Sequence, residues 1–419
     1  MKSEMIAFRS NSFFSYNQNK NFGLLVTPYQ NRKLPVYDWY NYKHSFSRDL
    51  VIALISQFQL NGQDRILDPF CGSGTTLLAS KEMGIPAQGL DILPLSVFVS
   101  NAKLMKYDRK KIQIAISEIE NLLEQKKIDC GVCSLRKELL IKWFPEQILD
   151  KVLFIRDWIE KACDENLKHF FLTALLSILE EVSYTYKGGG FLRVEKSKRI
   201  PDLKSTYLAR LHKMLMDIDI VDQLPDTQAK AVEGDARRTT YEPASFSGVI
   251  TSPPYPNRHD YTRVYLLELI VGFITREEEI KNLRYFSIQS HVEAKKRYLA
   301  EDYHPPDSLY TTLKELGKRS LPNKGIIKML EGYFEDMHLT LKEIRRLIRP
   351  SGKVAFVIGD ARYGGVKVPV GDILVEIGNN IGLELIEKIL VRLRGNSPQQ
   401  MKVYGREPIG EYILMWERK

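Results

Sequence analysis

The chain has 419 residues, 44% hydrophobic and 27% charged, so it can bury a sizeable core and is long enough for a catalytic domain with a large insertion. Its longest apolar stretch, residues 170–179, is far short of the roughly 20 residues of a membrane span. Residues 1–9 carry no apolar leader, so no membrane is expected and the cytoplasm is the expected compartment. A net charge of +9 favours a polyanionic partner, since Lys and Arg that neutralise phosphates gain counterion-release free energy, and four cysteines are too few for a disulfide framework.

Residues 1–33, rich in Ser, Asn, Gln and Phe, show no period and read as an irregular arm. From residue 34 an aromatic cluster (Tyr37, Trp39, Tyr40, Tyr42) leads into Phe46, Leu50, Val51, Leu54 and Ile55. Their three- and four-residue spacing predicts an amphipathic helix, with Ser47 as its N-cap. Residues 64–68 are a short strand, followed by a Gly-rich turn, a helix over 75–83 closed by Gly84, and a second strand over 87–90 that ends at Asp91. This β–turn–α–β unit opens a doubly wound α/β domain.

Residues 104–225 interrupt the alternation and read as helical throughout, over 112–123, 146–159 and 167–182, with one exposed, basic, glycine-rich loop from Lys187 to Arg193 and a basic run on to Arg199. Within them Cys130 and Cys133 have zinc-type spacing but no second Cys/His pair, so ordinary thiols are the better reading and no metal is expected. The α/β texture resumes at 230–233 and 248–251. A second, irregular and charged insertion covers 276–325, and then come a helix to 349, a strand over 353–358, a helix from Gly371 and apolar strands near 383–391 and 411–416. The domains expected are therefore an arm (1–33), a catalytic domain (34–103 with 226–419) and a helical insertion (104–225), with that insertion and the one at 276–325 as the candidates for target recognition.

Two segments carry chemistry. Asp68-Pro-Phe-Cys-Gly-Ser-Gly-Thr-Thr76 follows a strand and opens a helix. Its glycines allow a sharp turn and close approach of a ligand, and Asp91, about 20 residues on, is placed for ribose hydroxyls. Neither a dinucleotide fingerprint nor a phosphate loop fits the spacing. Asp68 would repel a phosphate but attract the ammonium and sulfonium of S-adenosylmethionine. Thr251-Ser-Pro-Pro-Tyr255 directly follows a strand, at a carboxyl edge of the sheet. Two prolines leave carbonyls that no ladder can recruit, so carbonyl and hydroxyl acceptors can orient an amino nucleophile, and Tyr255 offers a flat face to an extruded base.

Together these motifs resemble the DNA amino-methyltransferases, which modify the exocyclic nitrogen of cytosine or adenine. The resemblance covers residues 35–105, 228–275 and 340–419, about half of the chain. It implies a Rossmann-like S-adenosylmethionine-dependent methyltransferase sheet with helical insertions, acting on double-stranded DNA, with a cognate restriction endonuclease as a candidate partner. It further implies that Asp68, Pro69, Phe70, Gly72, Gly74 and Thr75 surround the cofactor, that Asp91 takes its ribose and Asp235 lies near its adenine. Ser252, Pro253, Pro254 and Tyr255 would form the catalytic loop. Tyr42-Lys-His-Ser-Phe46 is similar to the family's separate cofactor element, placing His44 and Phe46 near the methionine moiety.

Serine before Pro-Pro-Tyr resembles the cytosine-N4 branch more than the adenine-N6 branch. RNA amino-methyltransferases also pair a glycine turn with a Pro-Pro-Tyr loop, but usually carry Asp or Asn before it; a non-catalytic DNA-binding subunit is the reading from a different class. Three smaller features stay open between function and packing: the 259–263 segment (phosphate contact or helix cap), the aromatics of 37–42, and the charged run at 276–279, read as a solvated face.

Overall fold

A computed structural model of the protein describes residues 22–125, 134–395, 401, 403 and 405–419. Its strands, in chain order, are β1 (Ile66–Asp68), β2 (Ala87–Asp91), β3 (Thr185–Gly188), β4 (Phe191–Val194), β5 (Ala229–Glu233), β6 (Phe246–Thr251), β7 (Ile348–Gly359), β8 (Ala361–Tyr363), β9 (Val366–Val368), β10 (Leu383–Arg394) and β11 (Ile409–Arg418). Seven of them build one sheet in the order β5-β2-β1-β6-β7-β11-β10, and β3–β4 and β8–β9 are separate hairpins. β11 runs antiparallel to both its neighbours, whereas the other pairings of the sheet are parallel. The strand order reverses beside β1, which pairs with β2 through Ile66↔Ala87 and with β6 through Ile66↔Gly248. Ligands of open α/β sheets bind at such a reversal, beyond the carboxyl ends of the strands. Both chemical motifs end there.

Local signals account for most elements. Ser47 Oγ accepts from Leu50 N at 3.2 Å and starts helix Arg48–Gln57, whose apolar face is buried against the sheet. The chain before it is not an irregular arm over its described part: residues 22–33 form short helical turns. Asn31 pins them, donating to Phe46 O and accepting from Arg48 N, each at 2.9 Å.

The insertion is helical over Arg109–Glu124, Ser134–Leu140, Glu146–Ala162, Glu165–Ile178 and Leu203–Asp222, and its apolar faces join the core on one side of the sheet. The glycine-rich segment is a correction to the loop reading. Residues 185–194 form the β3–β4 hairpin, because a central Gly-Gly allows a tight reversal between short alternating arms. The second insertion is likewise not irregular throughout, since it contains helices Glu277–Phe286 and Asp307–Leu316. Cys130 and Cys133 lie outside the described residues. Among the described residues no helix is long and apolar enough to cross a membrane.

Candidate active site

β1 ends at Asp68 and the chain turns through Gly72 and Gly74 into helix Thr75–Glu82. Both glycines adopt left-handed φ, +51° and +77°, where a side chain is strained. At Gly72 a Cβ would sit 3.2 Å from the Tyr42 ring, and at Gly74 it would meet Ser100 Oγ at 2.8 Å. The Gly72 amide donates to Asp91 Oδ2 at 3.0 Å and the Leu93 amide to Asp91 Oδ1 at 2.9 Å, fixing this carboxylate at the end of β2. Burial pushes Asp91 up to about 6 despite these two amides. A cavity opens here between Tyr42, Phe70, Gly72, Asp91, Leu93 and Ile288, with Ser252 and Pro254 on its far side. Apolar walls, a close-approach glycine and one acceptor at a strand end fit a nucleoside carrying a cationic tail.

The Ser252–Tyr255 segment leaves β6 and is held by three other strands. Ser252 Oγ donates to Val357 O of β7 at 3.1 Å, so its lone pairs remain to accept from a ligand. Tyr255 OH donates to Glu411 Oε1 of β11 at 3.1 Å, and the Arg394 guanidinium of β10 lies 5.5 Å from the Tyr255 ring centre. Glu411 is 3% exposed and ion-paired with Arg392. Burial, then Glu411, drive the Tyr255 phenol far above its ordinary range, so it stays a neutral donor. Beyond the loop, Tyr363 OH donates to Pro256 O at 2.6 Å.

A second cavity is lined by Phe46, Pro253, Tyr255, Arg394 and Glu411. It shares His44, Ser252 and Tyr261 with the first, so the Ser252–Tyr255 segment partitions the two: Pro253 lines one, Pro254 the other. His44 stands edge-on to Tyr261 at 5.0 Å, its Nδ1 3.4 Å from Tyr265 OH. Burial, with His259 and Lys43 nearby, lowers it to about 3, so it is a neutral imidazole near neutral pH.

Other expected residues land differently. Asp68 is 1% exposed and lies behind the cavity wall, where Oδ1 accepts from Thr251 Oγ1 at 2.6 Å and from the Phe70 amide at 3.1 Å. Through Oδ1 it fastens the glycine turn to the root of the Ser252–Tyr255 segment, and burial raises it to about 6. Pro69 is buried beside it, and Gly74 and Thr75 start the following helix, Thr75 Oγ1 lying 2.9 Å from Ser45 Oγ. Asp235 does not line the cavity. Its carboxylate accepts from Arg237 Nε at 2.9 Å and Nη2 at 2.8 Å, and from Arg297 at 3.1 Å. Arg237 also donates to Asp336 at 2.9 Å and to Phe286 O at 2.6 Å, so this buried network holds the segment carrying Ser287 and Ile288, which does line the cavity.

In the 259–263 segment, Asp260 caps helix Tyr261–Val264 and Arg263 pairs with Glu293, as the structural reading expects, while His259 and Tyr261 reach the second cavity. Of the aromatic cluster only Tyr42 reaches the first cavity; Trp39 is fully buried and donates to Asp217 at 2.9 Å. Sequence reasoning missed Glu411, Arg392 and Arg394. The available signal was a carboxylate near the start of the largely apolar strand Ile409–Arg418, a residue type seldom buried unless paired.

A protein-family model described as DNA methylase matches residues 11–97, the stretch holding both the His44–Phe46 element and the glycine turn. The type II methyltransferase M.BsoBI of Geobacillus stearothermophilus is 32% identical, with 96% of this chain and 89% of that protein aligned. The type II methyltransferase M.AvaI of Nostoc sp. is 30% identical, over 94% of this chain and 89% of its own length. The type II methyltransferase M.MvaI of Kocuria varians is 22% identical, over 75% and 74%. The alignments with the first two extend across both insertions, beyond the half of the chain in which the motifs lie.

Proposed function

Because the chain belongs to the DNA amino-methyltransferase family, we propose that it transfers a methyl group from S-adenosylmethionine to the exocyclic amino group of a base extruded from duplex DNA, with cytosine N4 as the target. One observation carries this reading: the two cavities meet at Ser252, so a cofactor in one and a base in the other would approach across the Pro253–Pro254 pair. The cofactor supplies an electrophilic methyl on sulfur.

The chain supplies position and electrostatics. Gly72 and Asp91 hold the nucleoside end, the carboxylate accepting from ribose hydroxyls. Ser252 Oγ, its proton committed to Val357, accepts one N–H of the amino group, and a loop carbonyl accepts the other. The nitrogen lone pair is thereby turned toward the methyl, and the positive charge developing on nitrogen meets oxygen acceptors. The N–C bond forms as the C–S bond breaks, with no covalent enzyme intermediate, and the surplus proton leaves to water directly or through Ser252. Tyr255, held by Glu411, presents its ring to the base.

Cytosine is favoured by Ser252 in place of Asp or Asn. It is favoured also by Arg394 on the base cavity, since cytosine offers the neighbouring acceptors N3 and O2 to a guanidinium, whereas no two of adenine's acceptors N1, N3 and N7 are neighbours. An endonuclease reading the same sequence, in the cytoplasm, is the partner this activity implies. The test is incubation of the protein with methyl-labelled cofactor and genomic DNA, digestion to nucleosides and sequencing for modified positions. N4-methylcytosine at one recurrent site is the expected product. N6-methyladenine would correct the base, and label appearing only in added RNA would overturn the substrate.

A further inference from the structure

Between the β3–β4 and β8–β9 hairpins the surface opens into a broad cleft that adjoins the base cavity, sharing Asn257, His259 and Arg394 with it. At its rim stands Phe191, the first residue of β4, 58% exposed. It is the most exposed of the hairpin's large hydrophobic side chains, ahead of Val194 at 42% and Tyr186 at 40%. Its hairpin is nonetheless firmly held. The Lys187 ammonium is ion-paired with Glu268 and sits 4.8 Å over the Tyr265 ring, and Lys198 Nζ donates to Thr185 O at 2.9 Å. Gly190 backs directly onto the segment after the catalytic loop, where a Cβ would come 3.0 Å from the His259 ring and 3.3 Å from its Cα. Glycine here allows the hairpin tip to sit against the loop that would receive the base. Arg193, Lys196 and Arg199 near the hairpin, and Arg258 in the cleft, are all exposed. The cleft therefore offers cations to a phosphate backbone and one apolar ring to a base stack.

We propose that this cleft seats the duplex and that Phe191 is the wedge that enters the base stack where the target base has left it. The proposal rests on the reading of this chain as an enzyme acting on an extruded base. Extrusion breaks a base pair and two stacking contacts, and an apolar side chain filling the gap recovers part of that loss. Phe191 is suited to this because it follows the turn of a short, anchored hairpin and is more than half exposed.

The experiment compares the full-length protein with Phe191→Ala and Phe191→Leu on two duplexes containing its recognition site. One has the target base normally paired, the other has it opposite an abasic position and so already unpaired. On the paired duplex Phe191→Ala should lose about ten- to a hundredfold in kcat/KM, the range of one base–aromatic stack, with Phe191→Leu between it and the parent. On the unpaired duplex all three should react alike, and cofactor affinity should not change. Equal losses on both duplexes, or no loss on either, would overturn the wedge and leave Phe191 as a contact for another macromolecule. Failure of the parent protein to methylate either duplex would instead count against the proposed function.

Discussion

Replacing Glu268 by Gln isolates the charge that holds the β3–β4 hairpin to the rest of the molecule. Glu268 is 1% exposed, and its partner Lys187 has a side chain only 6% exposed, caged by the Tyr265 and Tyr40 rings at 4.8 and 5.5 Å. Tyr40 OH donates to the same carboxylate at 2.9 Å, and an amide oxygen can still accept that bond, so the change removes charge and little shape. Removing one partner of a buried ion pair costs about 3–5 kcal/mol, because the other charge stays desolvated. The two ring faces offset some of this, at about 0.5–1 kcal/mol each, leaving about 1–4 kcal/mol.

The assay is urea unfolding of the parent, Glu268→Gln, and the double variant Glu268→Leu/Lys187→Met. The single variant should unfold at markedly lower urea with an unchanged slope, whereas the apolar pair should return near the parent, since both desolvation costs vanish with the charges. Tyr265 stacks on Tyr42 at 4.6 Å, and Tyr42 lines the first cavity, so the single variant should also bind S-adenosylmethionine more weakly. A loss below about 1 kcal/mol for Glu268→Gln, or a double variant less stable than the single, would refute the desolvation argument.

Other outcomes follow from the site. Asp91 is raised to about 6 by burial, so lowering the pH through 6 neutralises the carboxylate proposed to take the cofactor's ribose. Cofactor affinity should be flat above pH 7 and fall by up to about tenfold per unit below 6, and Asp91→Asn should be weaker throughout and lose that slope; titration calorimetry across pH reads both. The raised value means that this carboxylate opposes folding at neutral pH and that the opposition eases as pH falls through 6, so acid should weaken binding before it weakens the fold. Gly74→Ala combines a left-handed φ of +77° with a Cβ 2.8 Å from Ser100 Oγ. It should cost about 2–4 kcal/mol in unfolding experiments, and an added Ser100→Gly should recover the clash but not the backbone strain. Tyr255→Ala should lower kcat by about a hundredfold, and Ser252→Ala by a similar order, with cofactor Kd near the parent value. An unchanged kcat on cognate duplex would remove either residue from the site.

The sequence alone determined the parts whose physics is local. A strand, a left-handed glycine turn, a helix and an acidic strand end occupy adjacent residues from β1 to Asp91, and Ser-Pro-Pro-Tyr follows its strand directly. The Ser47 cap and the order of strands and helices were legible for the same reason, because caps, φ constraints and hydrophobic period act over a few residues. What tertiary structure decided lay where distant segments share one buried space.

Asp68 reads identically in sequence whether or not it bonds Thr251; only the β1–β6 pairing brings that hydroxyl to its carboxylate. Asp235 is claimed by Arg237 and Arg297, and the latter is 62 residues away. Glu411, 156 residues from Tyr255, reaches its hydroxyl because β11 pairs with β7, placing both beside the catalytic loop. Phe191 lies far from both motifs in the chain, yet its hairpin meets the Arg258–His259 segment that follows Tyr255, through a helical insertion whose docking no local period encodes. A buried carboxylate must take whichever donor the fold brings to it, and only the assembled sheet decides which donor that is.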